Sequence, residues 1–217
     1  MEEHVVSASP LLPITSYLIL GTLTLWKDHG MSGYDVKQVA DRSLRYFYWS
    51  PAQSQVYTEL QRLQACGFVA VQEIGKAPRP AKRLYRATSA GVAAFQHWLD
   101  TTQVERDILK SMFQLKLFFG YFQSLPNLLA LVEERRAKVV KGLQLMEYKV
   151  KDLQERIAGP MKEVHLRYPL LTLHYRIAVD KAELGWIDDT RRQLQEWMSE
   201  DEEAVSVSGP HGERAGV

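Results

Sequence analysis

Residues 50–91 constrain the fold more than any other stretch of this chain. Ser50-Pro51 reads as a helix start, because a hydroxyl can cap free amides and proline fits the first turn, where no donor is needed. That helix is expected to run to about Ala65 and to end at Gly67, the residue type that most readily leaves a helix through left-handed backbone. Val56, Leu60 and Leu63 recur at spacings of four and three and so share one face. The other face carries Gln53, Ser54, Gln55, Thr58, Gln61 and Arg62. Two extended stretches follow, Phe68–Ile74 and Lys82–Thr88, joined by Gly75-Lys-Ala-Pro-Arg-Pro-Ala81. The two prolines stiffen that connection and exclude helix. Thr88 or Ser89 then caps another helix through about Leu99, with Val92, Phe95, Trp98 and Leu99 turned inward.

A helix with a polar outer face followed by a two-stranded hairpin is the outline of a winged helix-turn-helix, a module whose usual use is to lay one helix in a DNA major groove. The upstream sequence supplies the remaining helices. Residues 1–14 are irregular and contain Pro10 and Pro13. A helix starts at Thr15 or Ser16, capped by that hydroxyl, and its dense apolar positions Leu18, Ile19, Leu23, Leu25 and Trp26 imply burial on most sides. His29-Gly30-Met31 breaks it. Ser32 caps a second helix, Gly33 to about Ser43, with Tyr34, Val36 and Val39 toward the core, and an aromatic linker Tyr46-Phe-Tyr-Trp49 leads on.

Downstream of Thr101-Thr102 three helices are expected. The first, about Val104 to Phe122, is very apolar. The second follows Ser124 and Pro126 to about Ile157, and Val139, Leu143, Met146, Val150, Leu153 and Ile157 form a heptad seam suited to packing along another long helix. Gly159-Pro160 stops it, and a third helix starts after Pro169 with Leu173, Ile177, Leu184, Ile187, Leu194 and Met198 on similar spacing. The expected fold is mainly α with a small two-stranded β wing. A winged helix-turn-helix DNA-binding domain spans 15–101, a C-terminal helical dimerisation domain spans 102–199, and 1–14 and 200–217 are flexible termini.

Composition narrows the class. With 46% hydrophobic residues the 217-residue chain can build a globular core. No run of about 18 apolar residues occurs, so no membrane partner is expected. The N-terminus lacks the basic and apolar regions of a secretory signal, and the lone Cys66, read as a small buried residue, fits a reducing cytoplasm. The formal net charge is only +1, but Lys76, Arg79, Lys82, Arg83 and Arg86 form a local basic patch without an acidic residue. There is no glycine-rich phosphate loop, nucleophile elbow or paired-histidine zinc helix, and His165 and His174 lack a cysteine partner. No enzyme activity, cofactor or metal is therefore expected. Glu133-Glu134 beside Arg135-Arg136 reads as a solvated helix face.

Base reading requires paired donors and acceptors at the groove edge. Gln53 and Gln55, which can bond adenine at two points, are the leading candidates, with Ser54, Thr58 and Arg62 on the same polar face. Tyr57 is either a phosphate contact through its hydroxyl or core filler. Ser50 and the helix N-terminus could hold a phosphate through backbone amides. In the wing, Lys76, Arg79, Lys82 and Arg83 suit phosphate or minor-groove contact, and Arg79 is presented between Pro78 and Pro80. Trp26, Trp49, Trp98, Trp186 and Trp197 fill the core and interface or stack on a ligand. Trp98 is the first candidate contact for a small planar or hydrophobic effector.

At His29-Gly-Met-Ser-Gly-Tyr34, Tyr57-Thr-Glu-Leu-Gln-Arg-Leu63, Gly67-Phe-Val69 and Arg83-Leu-Tyr-Arg-Ala-Thr-Ser-Ala-Gly91 the chain resembles the PadR family of bacterial transcription regulators. The family's common serine is displaced or replaced near Ser54. The second half, with Leu115-Lys-Leu-Phe-Phe-Gly120 leading into a long helix, looks like the larger C-terminal region of the virulence-activator-like members. The resemblance implies a homodimer with interlocking C-terminal helices, double-stranded DNA as partner, regulation of a nearby gene, and release by a small molecule. The alternative reading is a winged-helix protein-interaction module without DNA binding.

Overall fold

A computed structural model describes residues 12–26, 30–46, 49–75, 82–104 and 110–207. Its contacts divide the chain into two compact units, Met1–Arg106 and Asp107–Val217.

The first unit contains α1 (Ile14–Leu25), α2 (Gly33–Arg42), α3 (Gln53–Ala65), β1 (Val69–Ile74), β2 (Lys82–Ala87) and α4 (Ser89–Thr101), with a short 3₁₀ turn at Leu44–Tyr46. The strands are antiparallel, pairing Val69 with Ala87 through to Ile74 with Lys82. Met31 and Tyr85 exchange both backbone hydrogen bonds (3.0 and 2.8 Å), which ties the segment before α2 to the hairpin. The core is built around α1: Ile19, Leu20 and Leu23 meet Val36 of α2, Val56, Leu60 and Leu63 of α3, and Val69 and Tyr85 of the strands. Each fully buried aliphatic side chain of this kind contributes about 1.5–3 kcal/mol.

The family-like motifs each have a local physical cause. Gly67 follows α3 with φ 72°, and the amides of Gly67 and Phe68 bond back to the carbonyls of Gln64 and Leu63 at 3.0 and 2.9 Å. That is a Schellman ending, and the left-handed φ favours glycine. Thr88 caps α4 by accepting from the Gly91 amide (3.1 Å) while its hydroxyl donates to the Gly67 carbonyl (2.8 Å). Gly91 is packed so closely on Phe68 that a methyl group there would collide with the Phe68 carbonyl oxygen.

Several expectations for this unit are corrected. α1 begins at Ile14 with Pro13 at the cap position and no side-chain cap. Ser16 is buried inside the helix and its hydroxyl donates to Glu59 instead. Leu25, Trp26, Tyr34 and Leu99 are exposed, because each lies at a helix end or on the face turned away from the core. Cys66 is exposed as well, one residue past the last turn of α3.

The second unit holds α5 (Met112–Phe118), α6 (Leu125–Ala158) and α7 (Arg167–Val207), with 3₁₀ turns at Gly120–Phe122 and Val164–Leu166. The expected continuous helix from Val104 to Phe122 is replaced by this shorter α5, which starts where the Ser111 hydroxyl accepts from the Gln114 amide and ends before the Gly120 turn. Ser124 caps α6 through the Asn127 amide, with Pro126 in the first turn. α7 begins two residues before Pro169, whose ring is compatible with a first turn. It also continues through Glu200–Glu203 to Val207, beyond the expected limit at 199. α6 and α7 pack antiparallel: Leu128, Val132 and Val139 meet Ile187 and Leu194 in a buried seam. Met146 is also buried along α6, whereas Leu143, Val150, Leu153 and Ile157 are half-buried.

In the charged segment 133–136 only Glu134 fits a solvated face, exposed and paired with Lys138 of the same helix, while the other three residues reach across to α7. Arg135 pairs with Glu183 (2.6 Å), Arg136 with Asp188 (2.8 Å), and Glu133 with Arg191, all across the α6–α7 seam. Arg135 also lies 5.7 Å from the Phe113 ring, which meets Trp186 edge-on.

Candidate nucleic-acid interface

α3 is held by its apolar side and offers its polar side. Val56, Leu60 and Leu63 are wholly buried, while Ser54, Gln55, Tyr57, Thr58, Gln61 and Arg62 are exposed and Gln53 is half-buried at the first position. The two sides are rigidly opposed because one helix carries both. Thr58 spends its hydroxyl donor on the Ser54 carbonyl (3.0 Å), leaving its lone pairs outward. A buried carboxylate also fixes the helix: Glu59 accepts from the Ser16 hydroxyl of α1 (2.6 Å) and lies 3.3 Å from the Arg62 guanidinium.

The approach to α3 differs from expectation at Ser50. The helix starts at Gln53 with Ala52 at the cap, so neither Ser50 nor Pro51 is part of it. Ser50 instead donates to Asp41 (2.6 Å) and accepts from Lys37 (3.1 Å), while Lys37 also pairs with Asp41. This cluster ties the linker to α2, and Pro51 is buried. The Lys37 ammonium, and then the Ser50 hydroxyl, hold the Asp41 carboxyl below its ordinary range.

Beside α3 lies an open groove of about 530 Å³, lined by Ser32, Gly33, Tyr34 and Asp35 of the α2 entry, Tyr57 and Gln61 of α3, and Lys82, Arg83 and Tyr85 of β2. Ser32 and Asp35 form a reciprocal capping box at the start of α2. The Ser32 hydroxyl is the chief cause of a lowered Asp35 pKa, with Lys82 adding to it. Tyr57 packs its ring on Gly33, where a methyl would stand 2.5 Å from the ring, and keeps two-fifths of its surface exposed. Tyr57 is thus both packed and presented. Lys82 lies 3.4 Å from Asp35, and Arg83 donates to Glu73 at 2.9 Å.

The structure therefore brings together Gln53, Ser54, Gln55, Tyr57, Thr58, Arg62, Lys82 and Arg83 in one unit, and sets Ser50 apart in the linker cluster. Lys76 and Arg79 lie outside the described residues. Trp98 stacks on Tyr17 (centroids 4.6 Å, 11° between planes) and packs near Phe95, so its described contacts are core contacts. Nothing in the sequence singles out Glu59, Asp35 or Asp41 for this region, and Tyr34, expected in the core, lines the groove instead. Asp35 was legible only as a cap partner, three residues after a serine cap, and Asp41 only as an ion-pair partner, four residues after Lys37. Glu59, on the helix face toward the core, carried no such signal. Among the described residues, no helix is long and apolar enough to cross a membrane, and no group of three or more His, Cys, Asp or Glu is placed to hold a metal ion.

Fold and site together define a winged helix-turn-helix protein carrying a long antiparallel helical hairpin in its second unit. Residues 20–97 match the transcriptional regulator PadR-like family and residues 109–195 match the virulence activator alpha C-terminal family. The first unit thus carries a domain of the PadR-like family, a family of transcriptional regulators and not of enzymes, and the second unit carries a virulence activator alpha C-terminal domain. It is 31% identical over 106 residues to the negative transcriptional regulator PadR of Bacillus subtilis, a match spanning 49% of this chain and 56% of that regulator's length. It is 24% identical over 185 residues to the probable transcriptional regulator Rv1176c of Mycobacterium tuberculosis, covering 78% of this chain and 93% of that one. The fold matches B. subtilis PadR solved in complex with operator DNA (TM-score 0.70, 23% identity, 84% of this chain and 99% of that one) and with p-coumaric acid (TM-score 0.64, 22% identity, 85% and 99%).

Proposed function

We propose that this chain binds double-stranded DNA as a cytoplasmic homodimer, reads a near-palindromic site with α3, and represses transcription until a small planar or hydrophobic effector releases it. The observation that carries the reading is the division of α3 into a wholly buried face and an exposed face of amides, hydroxyls and a guanidinium. Gln55 and Thr58, with Gln53 and Ser54 at the N-terminal end, read base edges. Tyr57, Arg62, Lys82, Arg83, Lys76 and Arg79 hold the phosphate backbone. Ser50 acts through the linker, and Trp98 is the first ring to test for effector contact, against the core role its stacking on Tyr17 supports.

Residues 15–101 form the DNA-binding domain and 102–199 the core of the dimerisation domain. Exposed Phe118, Tyr121, Phe122, Leu171 and Tyr175 in the second unit support pairing between chains. A two-fold dimer would set two α3 helices in major grooves about one helical turn apart. Repression and effector release rest on the relatives: B. subtilis PadR is a negative regulator solved with operator DNA and with p-coumaric acid.

The test is fluorescence anisotropy on duplexes flanking the protein's own gene, beside mixed-sequence duplex, over a salt series. Tight binding to one flanking duplex is expected, with Gln55→Ala losing about 1–3 kcal/mol there and relaxing preference at one base position. Arg79→Glu should weaken all duplexes together and flatten the salt dependence by about one unit or more. Equal, weak binding to every duplex would overturn the reading and favour the protein-interaction alternative.

A further inference from the structure

The cations at the base of the wing are already engaged by carboxylates. Lys82 lies 3.4 Å from Asp35 Oδ2, and Arg83 Nε donates to Glu73 Oε1 at 2.9 Å. Asp35 lines the groove beside α3 together with Tyr34, Tyr57 and Gln61. Glu73 stands directly opposite Arg83 in the strand register. All four charged side chains are exposed, so each pair is open to exchange with an outside anion. A carboxylate oxygen and a phosphate oxygen make the same kind of charge-assisted bond to an ammonium or guanidinium.

We infer that Asp35 and Glu73 are built-in competitors for DNA phosphate, holding Lys82 and Arg83 until a backbone phosphate displaces them and so keeping down sequence-independent affinity. This rests on the DNA-binding reading above. Sequence-independent binding derives from cations that neutralise phosphates. A cation that must first leave a carboxylate, and then share its neighbourhood with that charge, contributes less than a free one. The capping box keeps Asp35 ionised at neutral pH and fixes its position, so the competitor is always present. Exposed pairs of this type are individually weak, which suits a contact that must open on binding.

The experiment measures binding of the full chain to mixed-sequence duplex by anisotropy, from ~50 to ~200 mM salt. Glu73→Gln and Asp35→Asn should each tighten binding about two- to five-fold at low salt. Asn keeps an oxygen acceptor for the Ser32 amide, and Glu73 has no part in a cap, so the second variant reports even if the first unsettles α2. The gain from Asp35→Asn should disappear in a Lys82→Gln background, and that from Glu73→Gln in an Arg83→Gln background. Unchanged or weaker binding by Glu73→Gln, or gains that persist without the paired cation, would overturn the inference and leave only a general charge effect. Failure of the wild-type chain to bind any duplex at low salt would instead sink the DNA-binding reading, and this inference with it.

Discussion

Ser16 and Glu59 show how much one side-chain pair can decide. Glu59 is a buried carboxylate on α3, and its hydrogen bond to Ser16 joins α1 to α3 across 43 residues of sequence. Removing the hydroxyl leaves a buried acceptor short of a donor. Ser16→Ala is expected to destabilise the first unit by about 1–3 kcal/mol in urea unfolding. Ser16→Thr, which keeps the donor, should lose less. Two glycines make a contrasting pair. At Gly91 an added methyl meets backbone, which cannot yield, so Gly91→Ala should lower stability by about 1–3 kcal/mol or more. At Gly33 it meets the ring of half-exposed Tyr57, which can swing aside. Gly33→Ala should therefore keep most of the unfolding midpoint and lose DNA affinity in the anisotropy assay.

Among the elements, α3 depends on what precedes it. The Asp41–Ser50–Lys37 cluster anchors the linker, and the Asp41 carboxyl is held below its ordinary value of 3.8 first by Lys37 and then by Ser50. A carboxylate with a lowered folded pKa stabilises fully above its unfolded pKa, and that contribution fades as pH falls through the folded pKa. Wild type and Asp41→Asn should thus differ in melting temperature at neutral pH, begin to converge below about pH 3.8, and meet only once the pH has fallen past the lowered folded pKa, where both side chains are neutral. Identical melting curves at pH 7 would show that the cluster does not hold the fold. In the second unit, the α6–α7 seam should outweigh its ion pairs. Ile187→Ala is expected to cost about 2–5 kcal/mol, whereas Arg136→Ala, whose pair with Asp188 is partly exposed, should cost far less. Chemical denaturation of the two variants checks the ranking.

For the molecule as a whole, each unit has its own core, so a fragment ending at Arg106 should fold as a monomer while a fragment from Asp107 self-associates. Sedimentation of both fragments tests this, and a monomeric second fragment would remove the basis for the dimer. The division of labour was partly legible beforehand. Helix periodicity placed Val56, Leu60 and Leu63 inward and Gln55, Thr58 and Gln61 outward, because a 3.6-residue repeat is a local property that any single helix must obey. Gly67, Ser32 and Thr88 were legible for the same reason: caps act over three or four residues. Ser50-Pro51 misled because a hydroxyl before a proline is equally able to bond a distant aspartate, and Asp41 was close enough to take it. The family-like pattern of Tyr85, Thr88 and Gly91 could be matched in sequence, but its cause could not. Tyr85 pairs with Met31, Thr88 with Gly67, and Gly91 lies under Phe68. By itself, then, the sequence determined the helices other than α5, the hairpin and the polar face of α3, all set largely by interactions within a few residues. Only the tertiary structure decided that Glu59 is buried against Ser16, that Glu133, Arg135 and Arg136 bridge two helices, and that Lys82 and Arg83 face Asp35 and Glu73, because partners far apart in the chain carry no local mark of their meeting.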